Sequence, residues 1–126
     1  ILNDVTSRYL QQQHNQWFLG KSLDSFAPMG PSIVTIDELV DVTSETISTT
    51  VNGEERQKAK IADLIFDIPT LMETLTSTMT LLPGDIIATG TPAGVGLGFD
   101  PPKFLKSGDV VSVNIDAIGC LTNPIA

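Results

Sequence analysis

The run Thr46 to Val51, TISTTV, is followed by Asn52-Gly53 and then by EERQKAK, and no other local pattern in the chain constrains the fold as much. β-Branched residues favour extended backbone, and Asn-Gly supplies two positions that tolerate the left-handed conformation of a tight hairpin turn. A β-hairpin is therefore expected here. Its second strand would put Glu54 and Glu55 on opposite faces, so they cannot act as a paired carboxylate site. Two further segments rhyme: LLPGDIIATG and FLKSGDVVSVN each place an apolar pair, a Gly-Asp turn and a β-branched run in the same order. Each is expected to feed a strand, IIAT in the first case, with Asp85 and Asp109 as turn carboxylates bonding nearby backbone N–H groups. The last segment, IDAIGCLTNPIA, has a glycine between two strand-like pieces and suggests a closing hairpin or a bulge.

Helical signals are fewer. The opening NDVTSRYLQ puts Asp4, Arg8 and Gln11 at helical spacing, with Asp4 a helix-cap candidate and Arg8 its surface ion-pair partner. Asp67 can cap a second helix of roughly three turns, in which Pro69 is tolerated early and Leu71, Met72, Leu75 and Met79 recur on one face. Its Thr-rich remainder needs packing to hold it. Between these, WFLGKSLDSFAPMGPSIVT mixes Gly and Pro with apolar residues and is expected to be extended chain and turns. The sum is a mainly β chain with two short helices (α+β), without βαβ alternation or an internal boundary, and a rolled or barrel-like β architecture is the physical expectation.

A chain of 126 residues suits one core, and its net charge of −8 disfavours nucleic acid and anionic membrane surfaces as partners. No apolar run is long enough to span a membrane. The single cysteine, Cys120, makes no internal disulfide and is expected as a small buried hydrophobe. A reducing compartment, the cytoplasm or the mitochondrial matrix, is expected rather than secretion. An anionic substrate would need a local cation to outweigh the overall field.

Four features could carry chemistry, and each has a simpler structural reading. Asp4 could be one ligand of a hard cation, but one is too few. Lys21, between Phe18, Leu19 and Leu23, could snorkel to solvent or be held near an anion. ATGTPAGVGLG could let backbone approach a small anion beside the hydroxyls of Thr89 and Thr91, or be a structural Gly-rich turn. It is neither a P-loop, lacking Gly-Lys-Ser/Thr, nor a dinucleotide fingerprint. His14, the only histidine, sits among Gln and Asn and reads as a solvated loop residue, which argues against a zinc site.

Taken together, NDVTSRYLQ, QWFLGKSLDSFAPMGP, VNGEERQ, LLPGDIIATGTPAGVG and FLKSGDVV resemble the fumarylacetoacetate hydrolase family in order and approximate spacing, over nearly the whole chain. The stretch Pro101 to Asp109 is similar to the branch called fumarylacetoacetate hydrolase domain-containing protein 2. The resemblance implies a mixed β-sandwich roll, a homodimer, and Mg²⁺ (or Mn²⁺ or Ca²⁺) as cofactor. It also implies activity on 2-oxo acids with a pyruvyl-like moiety: acylpyruvate-type C–C hydrolysis, or tautomerisation or decarboxylation of oxaloacetate. By motif match, Asp4 resembles a metal ligand, Lys21 the active-site lysine, and Arg8, Gln11, Gly90 and Thr91 the substrate-binding residues, with Ser25 near the metal.

The family's Glu-x-Glu metal pair and its His-Glu general-base pair precede the segment at which this sequence starts. The expectation is therefore that residues 1–126 are the C-terminal portion of a single catalytic domain and that this portion alone is a poor catalyst. The alternative is a shortened, inactive relative serving as a binding or dimer-assembly module.

Overall fold

A computed structural model describes residues 1–13 and 16–126. Its α-helices are α1 (Arg8–Gln13), α2 (Trp17–Lys21) and α3 (Ile68–Thr76), and its strands are β1 (Thr46–Val51), β2 (Glu54–Lys60), β3 (Val110–Ile115) and β4 (Gly119–Pro124). The strands form one antiparallel sheet in the order β2-β1-β3-β4. The mainly β expectation holds, with one α-helix more than the two expected among the described residues.

Both expected hairpins form. Val51 faces Glu54 across a two-residue turn in which Asn52 and Gly53 have φ of 52° and 82°, so the Asn-Gly signal acts through its tolerance of positive φ. β3 and β4 close the sheet through Ile115–Gly119. Alternation then sorts the sheet's faces. Val51, Val111 and Val113 form the buried cluster, with Ile1, Ile47 and Ile125 packed against it. Cys120 differs from expectation. It is exposed, because its neighbour Leu121 takes the inward position opposite Val113 and turns Cys120 towards Thr122 on the outer face.

Asp109 joins the two hairpins. Its carboxylate accepts from Asn52 Nδ2 at 2.9 Å and from the Lys106 backbone N–H at 3.0 Å, and it is 5% exposed. The turn-carboxylate reading holds, as it does for Asp85, which accepts from the Leu82 N–H. The bond from Asn52, then that from Lys106, holds the Asp109 carboxyl below its ordinary value of 3.8. A pKa lower in the folded than in the unfolded state contributes stability that is complete above the unfolded value and is lost as pH falls through the folded one. Asp109→Asn turns an amide donor towards the Asn52 amide or the Lys106 N–H, and is expected to lower the melting temperature by several degrees near neutrality. That gap should narrow in melts taken from about pH 7 down to about pH 2, and a gap independent of pH would exclude this role for the charge.

Asp67 caps α3 as expected, accepting from the Thr70 N–H at 2.8 Å. The helix is shorter than expected, ending at Thr76 before Met79. Thr74, Thr76 and Ser77 turn their hydroxyls back onto carbonyls of the preceding turn, which satisfies them without burial but favours the helix less than Ala or Leu would. Leu71 and Leu75 face Phe66, Ile87 and Ala88 across an open apolar groove. The expected strand IIAT does not form. A strand exists only where a partner completes its ladder, and among the described residues none pairs with 86–89.

The segment expected to be extended chain contains α2 instead. Gly20 is there because helix must meet helix, not because the chain turns. A Cβ on it would lie 2.8 Å from the Ser7 carbonyl oxygen and 2.9 Å from the Gln11 nitrogen of α1. Outside α1 and α2 the chain's two flanks meet, where Leu2 bridges Met29 and Gly30 N–H donates to the Ile1 carbonyl, forming a base to the helices. Asn3 Nδ2 ties this base to Asn123 of β4 at 3.1 Å.

Candidate active site

Asp4 follows directly on that base, and α2 brings Lys21 to it. Lys21 Nζ donates to Asp4 Oδ2 and, at 3.1 Å, to Thr6 Oγ1. Both expectations for Asp4 in its local setting are thus corrected. It lies four residues ahead of α1 and caps nothing, and its ion-pair partner is Lys21, not Arg8. Lys21 is the last residue of a helix rather than part of an extended segment. An ammonium has three N–H donors. Two point at Asp4 and Thr6, so one is left for a ligand.

Arg8 donates from Nη1 to Gln11 Oε1 at 2.7 Å, one helical turn away. A guanidinium only donates, so the Gln11 oxygen faces it and the amide NH₂ is turned elsewhere. Gln11 is buried, with Gly20 packed against its Cβ and backbone nitrogen. Lys21, Asp4 and Thr6 thus form one group and Arg8 with Gln11 another, linked through the packing of Gly20, the neighbour of Lys21, on Gln11; Thr6 is a member that sequence reasoning missed.

Gly90 and Thr91 lie on a different support. Gly90 has φ of 126° with open space where a Cβ would be. Thr91 Oγ1 and the Pro92 carbonyl both accept from Gln57 Nε2 on β2, each at 2.8 Å. Among the described residues no hydrogen bond or ion pair joins Thr91 to Asp4, Arg8, Gln11 or Lys21. Further along the same loop, Gly94 and Gly96 serve packing: a Cβ would fall 1.8 Å from the Arg56 carbonyl oxygen and 2.3 Å from that of Lys103. Ser25 is exposed at φ of 65°, and no hydrogen bond ties it to Asp4 among the described residues. His14 lies outside the described residues.

Asp4 offers the hard oxygen a divalent cation prefers. Its number of companions does not fit. Among the described residues no group of three or more His, Cys, Asp or Glu side chains is placed to hold a metal ion. The described residues supply one candidate ligand and not a metal centre.

A family model described as fumarylacetoacetate (FAA) hydrolase C-terminal matches residues 1–126. The chain belongs to the fumarylacetoacetate hydrolase family. It is 54% identical over 125 residues to oxaloacetate tautomerase YisK of Bacillus subtilis (strain 168), a match covering 99% of this chain and 42% of that protein. The structure superposes on the fumarylacetoacetate hydrolase of the psychrophile Exiguobacterium antarcticum with a TM-score of 0.95 at 49% identity, over 98% of this chain and 44% of that one. It matches maleylpyruvate hydrolase from Sphingobium sp. SYK-6, in complex with manganese(II) ion and pyruvate, with a TM-score of 0.82 at 39% identity, over 98% of this chain and 41% of that one. The family resemblance and the fold are thereby established, and the relatives of this chain are enzymes. The chain spans less than half the length of these relatives.

Proposed function

We propose that the protein acts on a small 2-oxo acid with a pyruvyl-like moiety, with keto–enol tautomerisation of oxaloacetate as the favoured reaction and acylpyruvate-type C–C hydrolysis or decarboxylation as its chemical neighbours. One observation carries the reading: the candidate residues other than Asp4 present donors. Lys21 keeps one N–H beyond those given to Asp4 and Thr6, Arg8 keeps the donors not used on Gln11, and Gln11 keeps its NH₂ because its oxygen is the atom that meets Arg8. Thr91 accepts from Gln57 and so retains its own proton to give. Such a set recognises an oxygen-rich anion, and it supplies locally the positive potential that a chain of net charge −8 otherwise lacks.

In tautomerisation a proton passes from the carbon next to the keto group to solvent water while negative charge grows on the keto oxygen, and a proton then returns to that oxygen to complete the enol. Lys21, its ammonium aimed by Asp4 and Thr6, is positioned to donate to that oxygen as charge develops. Arg8 and Gln11 orient the carboxylate at the reacting end, and Thr91 with the Gly90 backbone holds a carboxylate at the far end. The proposal includes a divalent ion, Mg²⁺ or else Mn²⁺ or Ca²⁺, for which Asp4 gives one ligand. When bound, the ion would add positive charge beside the same oxygens. It also includes a homodimer. The presence of pyruvate and manganese in the maleylpyruvate hydrolase structure, and the activity named for the Bacillus subtilis relative, support this reading.

The test follows the decay of enol-oxaloacetate absorbance with the full-length protein, before and after treatment with a chelator and Mg²⁺ restoration. Acceleration that disappears on chelation and returns with Mg²⁺ is expected. No acceleration of oxaloacetate tautomerisation or decarboxylation, nor of acylpyruvate hydrolysis, under any of these conditions overturns the proposal.

A further inference from the structure

Gln57 closes the VNGEERQ motif but receives no role in the motif-based reading, yet the structure gives it a defined task. In the β1–β2 ladder Thr49 faces Gln57 while Thr50 faces Glu55, so Arg56 has no opposite number and forms a β-bulge. Bulges redirect the side chains beside them. Here the redirected segment meets the 90–96 loop twice. Gly94 lies so close over the Arg56 carbonyl that only a hydrogen fits in place of a side chain, and Gln57 reaches the Thr91–Pro92 end.

The orientation of the Gln57 amide follows from its partners. The Pro92 carbonyl can only accept, so the nitrogen faces it, and the second N–H of that same nitrogen goes to Thr91 Oγ1. A hydroxyl that accepts in this way keeps its proton for another acceptor. Thr91 is exposed, and among the described residues no bond donated by its hydroxyl is found. We infer that Gln57 is a positioning residue: from the β2 bulge it fixes the rotamer of Thr91 and aims the hydroxyl proton at the carboxylate of a bound 2-oxo acid. This rests on the reading of Thr91 as a carboxylate-binding residue.

The test titrates oxalate, as a mimic of the 2-oxo acid, into the full-length protein in Mg²⁺-containing buffer. It compares the parent with Gln57→Leu, Thr91→Val and the double variant. Each single variant is expected to weaken oxalate binding about five- to tenfold, and the double variant to bind no more weakly than Thr91→Val alone. For oxaloacetate turnover, Gln57→Leu should raise KM with kcat held within about twofold, since a non-reacting carboxylate is held alike in ground and transition states. If Gln57→Leu fails to fold, Gln57→Glu keeps the size and reverses the polarity: it accepts the Thr91 proton and should cost at least as much oxalate affinity as Thr91→Val. Parent-like binding by Gln57→Leu or Gln57→Glu, or losses that simply add in the double variant, overturn the inference while leaving Thr91 in place. Thr91→Val with parent-like binding overturns the reading of Thr91 and the inference with it.

Discussion

Replacing Lys21 by methionine in the full-length protein is expected to slow oxaloacetate tautomerisation by about two to three orders of magnitude, with little change in melting temperature. The size of the effect follows from where charge develops. A donor already aimed at the growing enolate oxygen acts without reorganising, and removing one such donor costs roughly 3–4 kcal/mol of transition-state stabilisation. The small effect on stability follows from exposure. Lys21 and Asp4 side chains are 30% and 39% exposed, so an Asp4 carboxylate left alone finds water, and an ion pair this open contributes little to the fold. Methionine also keeps an unbranched side chain of similar length at the end of α2. A variant that keeps near-normal turnover removes Lys21 from the mechanism, whereas one that loses activity and structure together shows a scaffolding role instead.

The parts of the fold legible in the sequence are those decided by neighbours a few residues away. Asn52-Gly53 specifies its turn through two positive φ angles, Asp67 caps α3 through a bond to Thr70, and Asp85 and Asp109 close turns onto residues three positions back. Misreadings occurred where a distant partner decides. Ile86 to Thr89 has the residues of a strand but no ladder partner among the described residues, and Gly20 looks like a turn residue until Ser7 and Gln11 are seen to press against it.

The candidate site divides in the same way. Lys21, Arg8, Gln11 and Thr91 are candidates through motif order alone, but the pairing of Lys21 with Asp4 and Thr6 depends on where α2 places Lys21. Gln57 was hidden because a bulge is a property of register. The run EERQKAK gives no sign that Arg56 will stand unpaired, and so none that Gln57 will point at a loop more than thirty residues further along the chain.

Gly94 and Gly90 separate two reasons for a glycine, and substitution at each should give different results. Both have positive φ, at 107° and 126°, so alanine at either pays the strain of a conformation that L-residues seldom adopt, about 1–2 kcal/mol. At Gly90 nothing lies within 4 Å of the added Cβ, and strain is the whole effect. At Gly94 the Cβ would lie 1.8 Å from the Arg56 carbonyl oxygen, and a backbone atom in a sheet cannot yield as a flexible side chain would. The loop must lift from β2, and the bonds from Gln57 to Thr91 and Pro92 are then stretched or lost. Gly94→Ala is therefore expected to destabilise the full-length protein by about 3 kcal/mol or more in urea unfolding, against about 1 kcal/mol for Gly90→Ala. Oxalate affinity should fall about five- to tenfold, as in Thr91→Val, in Gly94→Ala even at temperatures where it stays folded, because the hydroxyl aimed by Gln57 is displaced. Equal losses of stability in the two variants would show that backbone strain, rather than the clamp on the bulge, is what these glycines relieve.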